Sequence, residues 1–172
     1  ELIQQVKQKN VKDGGKKKVA VMCADDEEVL AALVEARDSG VADSFLVGNK
    51  ERILKVAQES KLDISNMEII DESEIAKIGE ICTDLVNSGK ASVMMKGLVA
   101  TSDYMRAVLN KEKGLRSGKL LSHVAVFDLP TYHKFLAVTD AAVTIRPTLE
   151  EKAGLIGNAA DVMRRLGVRK PK

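Results

Sequence analysis

Segment 93–106 combines the side chains and the spacing that bind an anion. An apolar run leads into a glycine, a short loop and a helix start capped by hydroxyl groups. The residues concerned are Lys96, Gly97, Thr101, Ser102 and Arg106. Free N–H groups at a helix N-terminus carry positive dipole character, and flanking lysine and arginine add charge, so the pattern suits phosphate. An ordinary strand-to-helix junction with an ordinary N-cap is the alternative, and the spacing alone leaves both open.

Three further polar positions follow downstream. Arg116 belongs to a glycine-flanked basic loop, Gly114–Lys119, that adds cationic groups if neighbouring strands bring it close; a solvated connection is the alternative. Ser122 precedes His123, but adjacent strand residues point to opposite faces, so this pair alone does not form a nucleophile and its base. Asp140 ends an apolar run, where it is either a ligand-facing residue of an open α/β sheet or a turn residue.

Composition excludes several classes of function. The net charge of +2 and an aromatic content of 3% argue against nucleic-acid binding. No apolar run reaches the roughly 20 residues of a membrane span, so we expect no membrane association. Cys23 and Cys82 lie in apolar runs without metal-ligand spacing, which predicts buried reduced thiols, a cytoplasmic protein and no metal site.

The elements that carry these residues alternate regularly. Short apolar runs are each followed by a helical stripe, which predicts four successive βα units and therefore a parallel sheet. We expect a three-layer α/β fold with a mostly parallel sheet and helices on both faces. The predicted strands are Lys17–Cys23, Ser44–Val47, Met67–Ile70 and Ala91–Met95, and the helices occupy residues 25–39, 50–60, 73–88 and the segment after Thr101.

The rhythm changes after the fourth unit. Two apolar runs, Leu120–Phe127 and Lys134–Thr139, flank a short link containing proline, which predicts a hairpin that adds an antiparallel strand to the sheet. Thr148 then caps a predicted helix over residues 149–166. We place a first α/β domain at residues 1–146, of which 1–16 form a leading helix and link. Residues 147–172 begin a second, truncated α/β domain, because Pro147 marks a boundary.

The two ends support the same domain picture. The chain begins at Glu1 rather than methionine, and it stops directly after an amphipathic helix where a strand is expected. We therefore expect the chain to be the N-terminal part of a longer, two-domain enzyme.

Five motifs in order resemble the phosphate acetyl/butyryltransferase family, and the resemblance runs from about Lys18 to Gly167. They are Met95–Thr101, Arg106–Lys111, Gly114–Lys119, Leu121–Phe127 and Val138–Ala142. The resemblance implies an architecture like that of isopropylmalate and isocitrate dehydrogenases, with the active site in a cleft between two domains. It also implies reversible acyl transfer between coenzyme A and inorganic phosphate, with butyryl-CoA and phosphate giving butyryl phosphate and free CoA, or the acetyl equivalents.

The resemblance, together with the anion-binding pattern of segment 93–106, predicts which residues act at the site. Arg106 and Lys96 are the predicted catalytic residues, with phosphate held by Arg106 and the helix amides. The predicted substrate-binding residues are Gly97, Thr101, Ser102, Arg116, Ser122 and Asp140. Coenzyme A and phosphate are substrates, and we expect no tightly bound cofactor. The resemblance implies that the catalytic base lies in a C-terminal part of the family's polypeptides that residues 1–172 do not include. It also implies a homo-oligomer of two or more subunits.

Two other functions remain open. One is a non-catalytic domain that binds phosphate or an acyl phosphate. The other is a decarboxylating dehydrogenase of the same architecture, which is less favoured because metal-binding aspartates and a dinucleotide loop do not stand out. Continuation of the polypeptide into a second α/β domain would favour the acyltransferase.

Overall fold

Apolar runs and helical stripes alternate along the first two-thirds of the chain, and the computed structural model, which describes residues 2–172, folds them as βα units. The strands of these units are β1 Lys17–Met22, β2 Ala42–Gly48, β3 Glu68–Asp71 and β4 Val93–Lys96. The helices are α1 Leu2–Lys12, which precedes the first strand, then α2 Glu27–Asp38, α3 Lys50–Glu59, α4 Ile75–Asn87 and α5 Thr101–Val108. The four predicted units are confirmed, with boundaries that differ by a few residues.

The four strands form one parallel sheet in the order β3-β2-β1-β4. In register, Val19 lies opposite Ser44 of β2 on one side and Val93 of β4 on the other. Strand β1 is therefore central, and the chain passes outward to β2 and β3 before it returns to the other side of β1 as β4. The reversal of direction creates a topological switch point between β1 and β4.

Helices cover both faces of the sheet, as predicted. On one face Met22 and Phe45 pack with α4 residues such as Cys82. On the other face, Val21 and Leu46 pack with apolar residues of α2 and α3. Neighbouring residues of one strand thus enter different cores, which is why the strands are nearly continuous apolar runs.

Contacts divide the chain into two units, one ending at Arg116 and one covering Ser117–Lys172. The second unit contains β5 Ala125–Phe127, β6 Leu136–Val138 and α6 Leu149–Arg165. Thr148 caps α6 as predicted, because its hydroxyl accepts from the Glu151 amide at 3.2 Å and the Glu151 carboxylate accepts from the Thr148 amide at 2.7 Å. The domain boundary predicted between residues 146 and 147 would separate two domains of a longer polypeptide, and it stays a prediction.

The predicted hairpin forms, but the prediction that it adds an antiparallel strand to the main sheet is wrong. Strands β5 and β6 pair antiparallel, with Phe127 opposite Leu136, and make a separate two-stranded sheet. Strand β6 contacts α6 of the same unit. Each strand is also shorter than its apolar run, because residues before Ala125 bond to α6 and to Thr139 and Asp140 instead of to a strand.

Candidate functional site

Segment 96–102 lies at the switch point of the sheet. Strands β1 and β4 run parallel and adjacent, so the residues that follow Met22 and Lys96 emerge side by side at the carboxyl edge. Open α/β sheets bind their ligands in the crevice outside the strand ends at such a point. The fold therefore places the predicted anion loop where this architecture provides a crevice.

Gly97 is required by the close approach of two backbones. Its amide donates to the Met22 carbonyl at 2.9 Å, and the Leu98 amide donates to the Cys23 carbonyl at 2.9 Å. A Cβ atom at Gly97 would lie 2.1 Å from the Cys23 carbonyl oxygen and 2.8 Å from that of Met22. Since both obstacles are backbone atoms of the central strand, a side chain at position 97 would separate β4 from β1.

Lys96 closes the loop on itself. Its ammonium donates to the Gly97 carbonyl at 3.1 Å and to the Val99 carbonyl at 2.7 Å. The Gly97 carbonyl also accepts from the Val99 amide at 2.9 Å. Two of the three ammonium protons are thus used within the loop, and the lysine contributes both its charge and the shape of the turn.

The prediction that a hydroxyl group caps α5 is wrong. The N-cap position is Ala100, which has no side-chain hydrogen bond to offer, and Thr101 and Ser102 are the first helical residues. The amides of Asp103 and Tyr104 both donate to the Ala100 carbonyl at 3.1 Å. The amides of Thr101 and Ser102 have no preceding turn to bond, so they are the donors available to an anion.

Helix α5 is anchored to the sheet and to α4 behind it. The Tyr104 hydroxyl donates to the Met94 carbonyl of β4 at 2.9 Å. Gly79 of α4 brings the two helices close together, because a Cβ atom there would lie 2.7 Å from the Ala107 Cβ. These contacts fix the direction in which the N-terminus of α5 points.

Arg106 lies on the side of α5 that faces α4. Its guanidinium forms an ion pair with Asp103 one turn earlier, and its side chain is 75% exposed. Both residues line a cavity of about 530 Å³ between the two helices, together with Ile75, Glu80 and Lys113. No local sequence signal indicates this cavity, because the 2.8 Å bond between Lys113 and Glu80 that lines it joins residues 33 positions apart.

The end of β1 forms the other side of the switch point. Cys23 is buried, and it adopts a left-handed backbone conformation with φ of 58°. Its amide donates to the Val47 carbonyl at 2.9 Å. Burial, followed by the Asp25 carboxylate, raises the pKa of the Cys23 thiol, which keeps it protonated. Asp25 itself pairs with Arg52 at 3.1 Å. The predicted burial of this cysteine is confirmed, whereas its place in the crevice has no signal in the sequence around it.

Arg116 is not brought to segment 96–102. The chain folds back after α5, with the Leu115 amide donating to the Val108 carbonyl at 2.8 Å. Arg116 therefore starts from the C-terminal end of α5, roughly 12 Å of helix away from Thr101 at 1.5 Å per residue. Its side chain is exposed.

Ser122 and Asp140 come together within the second unit, around the backbone of His123. The Ser122 hydroxyl accepts a bond of 2.9 Å from the Asn158 side chain, and the Asp140 carboxylate accepts one of 3.1 Å from the His123 amide. The Thr139 hydroxyl donates to the His123 carbonyl at 2.7 Å.

Asp140 is bonded mainly to backbone. Its other carboxylate oxygen accepts from the amides of Ala142 and Val143 at 2.8 and 2.9 Å. These bonds stabilise the charged form and lower the pKa of Asp140 to about 2. Of the two interpretations left open by the sequence, this geometry favours a turn residue.

Residues 2–172 contain neither a membrane-crossing helix nor a metal-binding cluster. The helices are too short or too polar to cross a membrane. No group of three or more histidine, cysteine or acidic side chains in that part of the chain is arranged to hold a metal ion.

Comparison with known proteins gives consistent matches. A family model described as phosphate acetyl/butaryl transferase matches residues 77–172. A phosphate butyryltransferase of Clostridium acetobutylicum is 41% identical over the whole chain, which covers 56% of that relative. One from Clostridium beijerinckii is 46% identical over 91% of the chain, which covers 52% of it.

A solved structure agrees with these matches. A branched-chain phosphotransacylase from Enterococcus faecalis superposes with a TM-score of 0.77 at 25% identity, over 90% of this chain and 54% of that one. The chain thus spans about half the length of the relatives that it matches.

Proposed function

Because the chain belongs to the phosphate acetyl/butaryl transferase family, we propose that the polypeptide containing it transfers an acyl group between coenzyme A and inorganic phosphate. The observation that carries the proposal is the position of the loop and the α5 N-terminus at the switch point of the sheet. The family's description includes phosphate, and a helix N-terminus at a switch point favours a phosphorylated ligand.

The loop's task in this proposal is to hold phosphate as the nucleophile. A phosphate oxygen attacks the thioester carbonyl, the C–S bond breaks, and the CoA thiolate leaves and takes up a proton. The amides of Thr101 and Ser102 hold the phosphate, and the Lys96 charge lowers the cost of bringing a dianion into the crevice. Fixed donors of this kind need no rearrangement during the reaction, because the loop is already bonded at both ends.

Arg106 is proposed to give the phosphate a second cationic contact. One turn of helix separates it from Ser102, so both face the same side of α5. Its bond to Asp103 uses one guanidinium nitrogen and leaves the others available. The 75% exposure of its side chain allows it to turn toward a bound anion.

Roles toward coenzyme A are proposed for Arg116 and Ser122. The Arg116 guanidinium is exposed and suits a diphosphate. Asn158 donates to the Ser122 oxygen, which leaves the Ser122 proton free for a substrate. Asp140 then acts indirectly by holding the adjacent His123 backbone.

We propose that the transferred acyl group is butyryl rather than acetyl. Two relatives that align with most of this chain are named phosphate butyryltransferase. We also propose a cytoplasmic location, because both cysteines are free and buried. Assembly into a homo-oligomer stays a prediction.

The proposal is tested by phosphate-dependent thiol release from butyryl-CoA, measured with the complete polypeptide. Arg106→Ala should raise the KM for phosphate about 10- to 150-fold, since a hydrogen bond to a charged group contributes about 1.5–3 kcal/mol. It should raise the KM for butyryl-CoA far less.

Arg164→Ala is the matched control, because Arg164 forms the same i,i+3 ion pair with Asp161 in α6. Equal changes in both KM values would remove Arg106 from the phosphate site. No phosphate-dependent thiol release by the folded complete protein would favour a non-catalytic anion-binding domain instead.

A further inference from the structure

The anion loop contains one large apolar side chain that packs into neither core. Leu98 is 60% exposed, whereas its neighbour Val99 packs against the core on the α4 side of the sheet. A single exposed leucine needs no explanation on an ordinary surface. This one belongs to the loop at the switch point, after Lys96 and Gly97 and before the free amides at the start of α5.

The backbone that carries Leu98 is held on both sides. Its amide donates to the Cys23 carbonyl at 2.9 Å, and the turn around it is closed by the Val99 amide on the Gly97 carbonyl at 2.9 Å. Lys96 bonds the carbonyls before and after it. The leucine is therefore presented from a fixed turn, and a ligand that contacts it loses little entropy in ordering the loop.

We propose that Leu98 is the residue of this loop that determines acyl-chain specificity, through contact with the hydrocarbon of the acyl group. The inference rests on the proposed function. An acyl phosphate carries a dianion and a hydrocarbon chain at the two ends of one short molecule. The loop offers the matching pair, with backbone donors at Thr101 and Ser102 and hydrocarbon at Leu98.

The methionine pair next to the loop does not supply this contact. Met94 is buried in the core on the α4 side, and Met95 packs against the core on the opposite face of the sheet. Both side chains are used by the fold. Within residues 96–102, Leu98 is the large apolar side chain that remains available.

Chain length decides how much a substrate gains from Leu98. An acetyl group ends one carbon beyond the carbonyl, whereas a butyryl group continues for two more carbons. Each methylene removed from water is worth about a fourfold preference. Leu98→Ala should therefore lower the ratio of kcat/KM for butyryl-CoA to that for acetyl-CoA about 5- to 15-fold. The KM for phosphate should stay unchanged.

The test uses the complete polypeptide with butyryl-CoA and acetyl-CoA as alternative substrates. Leu98→Met, which keeps a similar volume, should retain most of the preference and serves as the second variant if the alanine variant folds poorly. Leu109→Ala is the control, since Leu109 is also exposed, at 42%, but lies at the C-terminal end of α5, away from the loop. This variant should leave the ratio unchanged.

An unchanged ratio in Leu98→Ala, or an equal loss with both substrates, would overturn the assignment. Failure of the proposed function would give a different result, because the unsubstituted protein would then release no thiol from either acyl-CoA.

Discussion

Replacing Gly97 with alanine should be the most damaging single-methyl change in the switch-point loop. The new Cβ would lie 2.1 Å from the Cys23 carbonyl oxygen, a separation that real Cβ atoms do not adopt. Neither β4 nor β1 relieves the clash by a side-chain rotation, because the obstacle is backbone. Strand β4 must move away at its carboxyl end.

The cost follows from what that movement breaks. Overpacking typically costs about 1–3 kcal/mol. Separation of the strands also removes the bonds from the Gly97 and Leu98 amides to Met22 and Cys23, each worth about 1 kcal/mol net. We expect Gly97→Ala to lower the free energy of unfolding by roughly 3–5 kcal/mol, which is a large fraction of the 5–15 kcal/mol typical of a domain. Anion binding should weaken as well, since the Leu98 turn moves with the strand.

Gly48 provides a matched control, because it also ends a strand that neighbours β1. A Cβ atom there would meet its nearest neighbour at 3.4 Å, which is an ordinary contact. Urea unfolding followed by circular dichroism should show Gly48→Ala within about 1 kcal/mol of the unsubstituted chain. If Gly97→Ala is no less stable than Gly48→Ala, then the close approach of the two backbones does not explain the glycine.

Two further changes test features of the crevice and of the second unit. Cys23→Val should lower the free energy of unfolding in urea by about 1–2 kcal/mol more than Cys82→Val does. Position 23 has a φ of 58°, which a β-branched side chain disfavours, whereas position 82 is in the regular helix α4. Equal losses would show that the left-handed backbone carries no strain. For Asp140 the folded-state pKa of about 2 lies below its ordinary value of 3.8, so its contribution to stability is present above pH 4 and is lost as the pH falls through 2. Asp140→Asn should therefore flatten the decline of the urea midpoint between pH 4 and 2, and an acid limb identical to that of the unsubstituted chain would contradict this.

The repeating part of the fold was predictable because its signals are local. Asp26 and Asn49, residue types that favour the N-cap position, cap their helices by accepting from the amides of Val29 and Arg52. Apolar runs of a few residues sufficed for the buried strands. The hairpin itself was predictable because its two strands are close in sequence. Its relation to the main sheet was not, because that depends on residues distant in sequence. Nothing in the runs after residue 117 specifies whether they pair with β4 or with each other alone.

The site was predictable only where its residues are close in sequence. Segment 96–102 is recognisable because strand, glycine and helix start follow one another directly. The position of the helix cap was missed because Ala100 has no capping side chain, and its role depends on how Lys96 folds the loop. Cys23 and the Asp25–Arg52 pair reach the crevice only through strand order, which no single stretch of sequence encodes.

The donors at this site are backbone amides, and this changes which side chains matter for binding. The hydroxyl groups of Thr101 and Ser102 do not cap the helix, whereas three other residues determine where the amides lie. Gly97 allows β4 to approach β1, and Lys96 closes the turn with two of its protons. The Cys23 carbonyl accepts from the Leu98 amide and so holds the turn in place. Affinity for an anion should therefore depend more on residues that shape the backbone than on the hydroxyl groups nearest to it.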